Sequence, residues 1–457
     1  MSLNADLETN LDHPAVGIGE VFIAVGALNE LRGALKTLPT HAMITVLTDE
    51  SVILTARGTD LKSSVLERLD GLGQVMVVVL KGDVHADEET VRTATEGCST
   101  ADVVVTVGSG TLCDIGKVAA VGRPHVVVQS AASVNGFADD QSVLLISGVK
   151  RTTHSSWPHT LVIDTDVLTG APVALNRSGL GDMISMFTAP ADWYLASLVG
   201  MDHGWSLDSA TMTRRYGDEL RSIARGVGEA DPVALETLAR FVTLSGLSMG
   251  VAGQTSPSSG MEHTVSHLLD MAHSSRGTDT ALHGAQVGVA TVVVAILWRR
   301  MVERIANGTI GALVLPEPVD AEHAVRAAFD WMDETGATSD ECWTDYSKKL
   351  AHLRSIDATA LMRSIVNTWA RNHNPTVSSL LEAPGRIVRA LAEAGAPTRF
   401  SELNSSGESD DVLWAIRNCH LMRNRFTIAD LAFLTGSWTE EEIRSVLDEA
   451  RGLGAGL

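Results

Sequence analysis

The chain has 457 residues, more than one hydrophobic core usually holds, so two domains are expected. Its hydrophobic share of 45% and charged share of 20% are those of a globular protein and exclude a disordered chain. A formal net charge of −21 excludes nucleic acid and an anionic membrane as the main partner. A small anionic substrate therefore needs a local basic or metal centre.

The cysteines and the apolar segments indicate where the protein works. Cys98, Cys113, Cys342 and Cys419 form no CxxC pair, which predicts neither a disulfide framework nor a zinc knuckle and favours the reducing cytoplasm. The first residues are acidic and polar, unlike a signal peptide. The longest strongly apolar stretch, residues 287–298, is too short to span a bilayer and predicts a buried core helix. We expect a soluble, cytoplasmic protein.

The first third of the sequence alternates short β-branched runs with helical stretches. The predicted strands are residues 42–47, 74–80, 103–107, 125–128 and 160–163. Between them, LKSSVLERLDGL and DEETVRTATEGCST have the apolar spacing of helices. Runs such as VMVVVL are apolar throughout, which is typical of strands buried on both faces. The alternation predicts a parallel α/β sheet.

Helical patterns dominate the rest of the chain. The exceptions are a strand-like run, GALVLP, at 311–316 and a polar loop, SELNSSGESDD, at 401–411. Gly, Pro and Asn residues mark a boundary within 164–179. We predict a nucleotide-binding α/β domain over residues 1–170 and an all-helical domain over 171–457. A cleft between two such domains is the expected site.

A glycine-rich turn follows the strand-like segment VVVTVG. Gly108 and Gly110 allow close approach of the backbone, Ser109 and Thr111 offer hydroxyls, and a helix is expected over 114–121. A helix N-terminus after such a turn is an anion site, because its free N–H groups and its dipole face a pyrophosphate. The turn has neither the GxGxxG nor the Walker pattern, and similar turns also serve only to pack a helix on a sheet.

An acidic residue, Asp49, ends the predicted strand AMITVLT. A carboxylate at the carboxyl end of a strand accepts hydrogen bonds from a ribose 2′-hydroxyl and repels a 2′-phosphate, which favours NAD over NADP. The alternative is that Asp49 only caps the next helix.

Three separated segments, GLGDM, SGMEHTVSH and LHGAQ, contain Asp182, His263, His267 and His283. Asp with two neutral His is a common ligand set for a catalytic divalent cation with open positions for substrate. Four-residue spacing places His263 and His267 on one face of a helix. The alternatives are a capping carboxylate at a helix start for Asp182 and an ordinary polar helix face. His273 is expected at the surface.

Seven segments, taken in order, resemble those of the sn-glycerol-1-phosphate dehydrogenase family: VGSGTLCDIGK, VVVQSAASVNGFA, SGLGDM, ADWYLA, SGMEHTVSHLLD, LHGAQVGVAT and MRNRFTIADL. The resemblance spans residues from about 40 to 435 and is closest to the longer bacterial branch. It implies the dehydroquinate synthase-like fold of the iron-type alcohol dehydrogenase superfamily. It also implies metal-dependent, NAD(P)-linked interconversion of dihydroxyacetone phosphate and sn-glycerol 1-phosphate.

The resemblance implies a role for each candidate residue. The metal ligands would be Asp182, His263 and His283, with zinc as the ion and nickel or iron as alternatives. Met186 stands where iron-type alcohol dehydrogenases carry a further histidine, which favours three ligands. Asp182 and His267 would be catalytic, and both would contact the substrate together with Asn135. The cofactor set, for NAD with NADP as the alternative, is Asp49, Gly108, Ser109, Gly110, Thr111, Asp114, Ser130, Ser133 and Asp139.

Two positions depart from the family pattern S-x-D-G-x-x-S. The chain has Asn135 in place of the Asp and Asp139 in place of the second Ser. An amide carries no charge, and an added carboxylate either compensates for it or repels a phosphate. The departures leave dehydrogenation of another small polyol or alcohol as an alternative.

Two other functions are kept as alternatives. A dehydroquinate synthase-like cyclase needs several Lys and Arg residues in its substrate pocket, and few candidates are evident, since Lys150 reads as a surface residue. A metal- and nucleotide-binding sensor without turnover is the non-enzymatic alternative. A homodimer or larger homo-oligomer is the expected assembly.

Overall fold

The computed structural model describes residues 2–36, 38–39, 41–403 and 409–457. Within them, eight strands form a six-stranded parallel sheet, in the order β1-β8-β5-β4-β2-β3, and an antiparallel hairpin, β6-β7. The strands are β1 Glu20–Ala24, β2 Met43–Asp49, β3 Gln74–Leu80, β4 Val103–Gly108, β5 His125–Gln129, β6 Gln141–Ile146, β7 Val149–His154 and β8 Thr160–Asp164. The predicted parallel sheet is confirmed, and all five predicted strands belong to it.

The helices are α1 Leu3–Leu11, α2 Leu31–Ala34, α3 Leu61–Leu69, α4 Glu88–Gly97, α5 Gly110–Ala119, α6 Thr165–Gly170, α7 Val173–Met183, α8 Ala189–Leu198, α9 Leu207–Thr211, α10 Gly217–Gly228, α11 Pro232–Ala252, α12 Met261–Arg276, α13 His283–Ala306, α14 Pro318–Phe329, α15 Ala337–Ser355, α16 Ala358–Thr368, α17 Asn374–Leu380, α18 Pro384–Glu393, α19 Ser409–Asn418, α20 Ile428–Leu434 and α21 Glu440–Gly452. The two helices predicted between strands are α3 and α4.

The structure contradicts the strand-like interpretation of one segment and describes only part of the predicted polar loop. The run at 311–316 forms no strand, and the Val314 N–H donates a hydrogen bond to the carbonyl oxygen of Leu434 in α20. Its apolar residues resemble those of a strand, but the segment packs against a helix and not in a sheet. Of the polar loop predicted at 401–411, residues 404–408 lie outside the described residues, and α19 begins at Ser409.

Among the described helices, α13 has the largest number of buried residues, 17 of its 24, and it packs against α7, α12, α18 and α21. It contains the predicted core stretch at 287–298, and every residue of that stretch is buried. The full helix has 24 residues and is long and apolar enough to cross a membrane, but 83% of its most apolar window is buried inside the protein. A helix that is apolar all round is expected in the middle of a large core.

The helical region begins where the sheet ends. The last described strand, β8, ends at Asp164, and all described helical packing around α13 follows it. However, Leu3 and Leu7 of α1 belong to the same core as α13, and α1 packs against α11. The division at residues 170 and 171 stays a prediction, and the first helix lies with the second region.

Candidate functional site

A cavity of about 650 Å³ lies between the sheet and the helical region. Its wall on the sheet side comes from the N-terminus of α5, the segment after β5 and the hairpin. Its wall on the helical side comes from the end of α7, from α12 and from the loop that leads into α13. The predicted cleft therefore contains the three segments with the metal candidates.

The structure brings Asp182, His263 and His283 together. The Oδ1 atom of Asp182 lies 3.2 Å from Nε2 of His263 and 3.9 Å from Nε2 of His283. One donor atom from each residue lies within 4.8 Å of the others. Tetrahedral zinc with bonds of about 2.0–2.1 Å separates its ligand atoms by about 3.3 Å, so these spacings suit one ion.

A further observation supports a cation at this position. Asp182 is completely buried, and its Oδ1 atom accepts no well-formed hydrogen bond from the described residues. Its Oδ2 atom accepts one from the backbone N–H of Asn135, at 2.8 Å. Burying an unpaired carboxylate oxygen is costly. The oxygen, two imidazole nitrogens and open cavity space form a fitting donor set for a divalent metal.

Hydrogen bonds fix the orientation of both histidine ligands. Nδ1 of His263 donates to Oε1 of Glu262, at 3.0 Å, since a carboxylate can only accept. Nδ1 of His283 lies 2.9 Å from the Ser266 hydroxyl, which donates to Gln286 at 2.6 Å. In the neutral form of each ring, the lone pair is therefore on Nε2, which faces Asp182, and such outer contacts raise the basicity of a metal ligand.

The carboxylates also control the charge of His263 without metal. Burial alone would lower the pKa of His263, but Asp182 and Glu262 outweigh this effect and raise the pKa to about 9. Burial raises the pKa of Asp182, but the two histidines and the Asn135 N–H outweigh it and lower the pKa. The site thus favours positive charge beside an ionised carboxylate, as a metal site should.

His267 lies beside the triad but does not join it. Its ring centroid is 6.3 Å from that of His263 and 5.5 Å from that of His283. Arg423 donates to its Nδ1 atom at 2.7 Å, so the proton of the neutral ring is on Nε2. Burial and the nearby Arg423 hold the pKa of His267 well below its usual value. The ring is a neutral hydrogen-bond donor at the wall of the cavity.

The position of Asp182 differs from the prediction of a helix start. Pro172 precedes α7, and Asp182 is the last residue but one of that helix. The glycines around it are needed for packing: a Cβ on Gly181 would lie 2.2 Å from the carbonyl oxygen of Gly284 in α13. Asp182 is thus a ligand candidate at a helix C-terminus and not an N-terminal cap.

The glycine-rich turn leads directly into a helix. β4 ends at Gly108 and α5 begins at Gly110, four residues before the predicted start. The Ser109 side chain caps none of the N–H groups of α5, which leaves them for a ligand. A Cβ on Gly110 would lie 2.6 Å from Val134, so packing also requires glycine there. Thr111 and Asp114 line the cavity.

The other cofactor candidates surround the carboxyl edge of the sheet. Asp49 ends β2, next to β4, where its carboxylate accepts from Ser51 and lies 3.4 Å from Nζ of Lys62. Ser130 donates its N–H to Gly108 at 2.9 Å, and the Ser133 carbonyl accepts from Ser178. Among the described residues, the cavity wall does not include these three positions.

The two residues that depart from the family pattern have different surroundings. Asn135 lines the cavity, and its buried Nδ2 has no hydrogen-bond partner among the described residues, so it can donate to a ligand. Asp139 also reaches the cavity wall, but its carboxylate binds the fully buried Lys117, which additionally donates to the carbonyl oxygens of Gly136 and Gln141. Its charge is therefore neutralised inside the fold and does not face a substrate alone.

Replacing Lys117 with methionine is expected to destabilise the protein. The change leaves Asp139 buried without its partner, and such losses cost about 3–5 kcal/mol. Urea unfolding should show this decrease, whereas the exposed Lys36→Met variant should unfold like the wild type. Adding Asp139→Ser should restore part of the loss. Equal stability of the single and double variants would contradict the pairing.

His273 is not at the predicted surface, and Lys150, for which an anion contact and a surface position were the two alternatives, is half-buried at the cavity. His273 is buried in α12, where its Nδ1 lies 2.7 Å from the hydroxyl of Thr278. Lys150 is in β7, lines the cavity and lies 3.2 Å from Asp270. Arg423 is a third cation near the cavity that the sequence interpretation missed. Its signal was the MRNRFTIADL segment, which carries two arginines shortly before the apolar residues that begin α20.

Comparisons with known proteins agree with this architecture. A family model described as iron-containing alcohol dehydrogenase matches residues 22–172. A glycerol dehydrogenase structure from Schizosaccharomyces pombe superposes with a TM-score of 0.58 at 15% identity, over 96% of this chain and 91% of that one. A probable glycerol dehydrogenase from Sinorhizobium meliloti 1021 gives 0.57 at 14% identity, over 94% and 99%.

The fold is therefore that of the glycerol and alcohol dehydrogenases with a dehydroquinate synthase-like architecture. The glycerol-1-phosphate dehydrogenase (NAD(P)+) of Aeropyrum pernix is 32% identical over 269 residues, 55% of this chain and 73% of that protein. The enzyme of the same name from Bacillus licheniformis is 28% identical over 321 residues, 70% of this chain and 77% of that protein. The chain belongs to the glycerol-1-phosphate dehydrogenase family.

Proposed function

We propose that this protein transfers hydride reversibly between NAD(P)H and dihydroxyacetone phosphate, with sn-glycerol 1-phosphate as the reduced product. In the reducing direction the hydride goes to the carbonyl carbon and a proton goes to its oxygen. The observation that carries the proposal is the convergence of Asp182, His263 and His283 on one cavity that also receives the N-terminus of α5. Relatives with this printed activity support the choice of substrate.

The residues of this chain have distinct roles in the proposal. Asp182, His263 and His283 would hold a divalent metal, zinc first, with nickel or iron as alternatives. When bound, such an ion supplies Lewis-acid polarisation of a carbonyl oxygen. The Nε2–H of His267 and the unpartnered Nδ2 of Asn135 would donate hydrogen bonds to substrate oxygens. These donors fix the ketone relative to the cofactor.

The cofactor role is assigned to the turn after β4. The free N–H groups at the start of α5, with Gly108, Ser109, Gly110 and Thr111, would bind the pyrophosphate. The proposed cofactor site also includes Ser130, Ser133, Asp114 and Asp139. NAD is the proposed cofactor, with NADP as the alternative.

Steady-state oxidation of NADH with dihydroxyacetone phosphate is the direct test. We expect turnover that depends on added metal after chelation, and a product with the sn-1 configuration in an enantioselective assay. Tight NADH binding without turnover of any small ketone would contradict the enzyme and favour a sensor. Turnover that is faster with dihydroxyacetone than with its phosphate would favour another polyol as substrate. That is the alternative raised by Asn135, which departs from the family pattern.

Replacing Asp49 with glycine is expected to increase the use of NADPH. The change removes a carboxylate that would repel the 2′-phosphate and frees Lys62, whose Nζ also contacts the backbone of residues 49 and 51. The ratio of kcat/KM for NADPH to that for NADH should rise about tenfold or more, equivalent to ~1.4 kcal/mol. The Asp49→Gly/Lys62→Met variant should lose most of this gain. An unchanged ratio in Asp49→Gly would mean that Asp49 does not reach the ribose.

We also propose that the protein works in the cytoplasm as a homo-oligomer, a dimer being the first expectation. All four cysteines are free and buried, which suits a reducing compartment. Sedimentation velocity measures the assembly directly.

A further inference from the structure

A side recess of about 280 Å³ opens next to the main cavity. Gln141, Lys150, Thr152 and Thr255 belong to the walls of both spaces. The remaining wall comes from the end of β7, the loop after α11, the segment that precedes α20, and Asp345 of α15, whose carboxylate pairs with Arg151. A ligand that fills the recess can therefore extend into the cavity with the metal candidates.

Four cations surround this recess, and carboxylates pair with only two of them among the described residues. Lys150 lies 3.2 Å from Asp270. Arg151 contacts Glu341 and lies 2.8 Å from Asp345. These two cations have their charge compensated by the protein itself.

The other two cations, Arg423 and Arg425, hydrogen bond to neutral groups. Arg423 donates to the Lys150 carbonyl oxygen at 2.8 Å and to Nδ1 of His267 at 2.7 Å. Arg425 donates to the hydroxyls of Ser259 and Thr255, at 2.8 and 2.9 Å, and also contacts the Ser259 carbonyl oxygen. Two neighbouring guanidinium groups without a carboxylate contact are unfavourable unless an anion binds to them.

The backbone holds these arginines in place at some cost. Arg423 has φ of +67°, in the left-handed region that a long side chain rarely adopts. Strain of this kind persists where the surroundings enforce it, and it concentrates at binding sites. The buried Lys349 provides that enforcement, because its Nζ donates to the carbonyl oxygens of His420 and Arg425 and contacts Asp430 at 2.6 Å.

We propose that Arg423 and Arg425 form the subsite for the phosphate group of the substrate, in the recess beside His267. The inference rests on the proposed function, since it names how a phosphorylated ketone is distinguished from an uncharged one. Arg423 contacts the ring that would donate to a substrate oxygen, so the phosphate and the reacting oxygen bind on either side of His267. Guanidinium groups suit this role because their donors match phosphate oxygens in pairs. The subsite also supplies the local positive charge that a net charge of −21 makes necessary.

Substrate preference and inhibition by inorganic phosphate test the subsite in the holoenzyme. For Arg423→Gln and Arg425→Gln, the ratio of kcat/KM for dihydroxyacetone phosphate to that for dihydroxyacetone should fall at least about tenfold. Phosphate should compete with the ketone phosphate, and its inhibition constant should rise by a similar factor in both variants. Arg363→Gln, at an exposed position of α16, is the control and should match the wild type. Metal content and melting temperature check that each variant is folded.

Two features keep the result interpretable. First, Arg425 does not contact His267 among its described bonds, so a changed substrate ratio in Arg425→Gln is not an indirect effect on that ring. Second, Arg423→Lys keeps the positive charge and should recover part of the preference for dihydroxyacetone phosphate that Arg423→Gln loses. An unchanged ratio and unchanged phosphate inhibition in both variants would overturn the subsite while leaving the dehydrogenase intact. Phosphate that competes with NADH instead of the ketone would also overturn it. If the wild type turns over no ketone, calorimetric titration with phosphate still tests the subsite separately from the proposed function.

Discussion

Changing His263 to alanine is expected to remove the bound metal and the dehydrogenase activity together. The variant keeps only Asp182 and His283 as protein ligands, whereas catalytic zinc sites generally use three. It also leaves Glu262 buried without the ring that it orients. Metal content measured on the purified protein should fall from about one ion per chain to a small fraction, and kcat/KM should fall by at least ~10³-fold.

The His267→Ala variant distinguishes the role of His267 from that of His263. His267 shares a helix face with His263, but its Nδ1 accepts a hydrogen bond from Arg423, and the ring does not belong to the group of ligand atoms around Asp182. We expect metal content near that of the wild type and a decrease in kcat/KM of about 10²-fold or more, the range for loss of a positioned proton donor. The exposed His323→Ala is the matched control. Full metal content in both His263→Ala and His267→Ala would show that the ligand set is wrong.

A milder variant, Glu262→Gln, tests whether the carboxylate that orients His263 also strengthens metal binding. Glu262→Gln keeps the shape of the side chain but weakens its acceptance of the His263 proton. Loss of such an orienting carboxylate typically lowers metal affinity about 10–100-fold. A chelator competition series should therefore rank the wild type above Glu262→Gln, and Glu262→Gln above His263→Ala.

The sequence was most informative where strands are buried on both faces. Continuous valine runs revealed β4 and β5, which are buried along their whole length, as strands of a covered parallel sheet are. The run VMVVVL also forms a strand, β3, but the prediction that both of its faces are buried is wrong, because β3 is the edge strand and three of its valines are about two-fifths exposed. β1 is short and half-buried. The hairpin β6-β7 combines a polar start and an apolar end in β6 with a mostly polar β7, around a tight turn at Gly148, which has φ of +78°. Those elements are defined by their neighbours, which the local sequence does not contain.

The candidate site was predictable in its residue types and not in its surroundings. Four-residue spacing placed His263 and His267 on one face of a helix, but spacing could not show which ring meets Asp182. That choice depends on α7, which brings Asp182 to 3.2 Å from His263, and on Arg423, which is far along the chain and binds His267. The surface prediction for His273 was wrong for a different reason: α12 is buried all round from Met261 to His273, and the spacing of two histidines does not reveal this.

The sequence interpretation took the glycines of the GLGDM segment as signs of a nearby helix start. In the structure they allow two helices that are distant in sequence to pack closely. Gly181 and its neighbours looked like the start of a helix because small residues often flank one. In the structure they let α7 and α13 cross with their backbones in contact. The crossing places Asp182 near the end of one helix beside His283 at the start of the other, so the small residues determine the geometry of the metal candidates.

Replacing Gly284 with alanine is therefore expected to damage both stability and metal binding. An added Cβ would lie 2.0 Å from the carbonyl oxygen of Ser178 and 2.9 Å from Cβ of Asp182. A carbonyl oxygen within a helix cannot rotate away, so α7 and α13 must separate and carry Asp182 away from His283. Overpacking usually costs about 1–3 kcal/mol, and a backbone clash belongs at or above the upper end of that range.

Gly385→Ala provides the matched control, because Gly385 is also helical and exposed, with no atom within 4 Å of its added Cβ. That variant should be more stable by about 0.5–1 kcal/mol, since alanine favours a helix over glycine. Gly284→Ala should instead lower the urea midpoint and weaken metal affinity by at least ~10²-fold, as expected when a ligand is displaced by about 1 Å. Wild-type stability and metal content in Gly284→Ala would contradict the close crossing. Lost stability with full metal content would mean that the ligands do not depend on it.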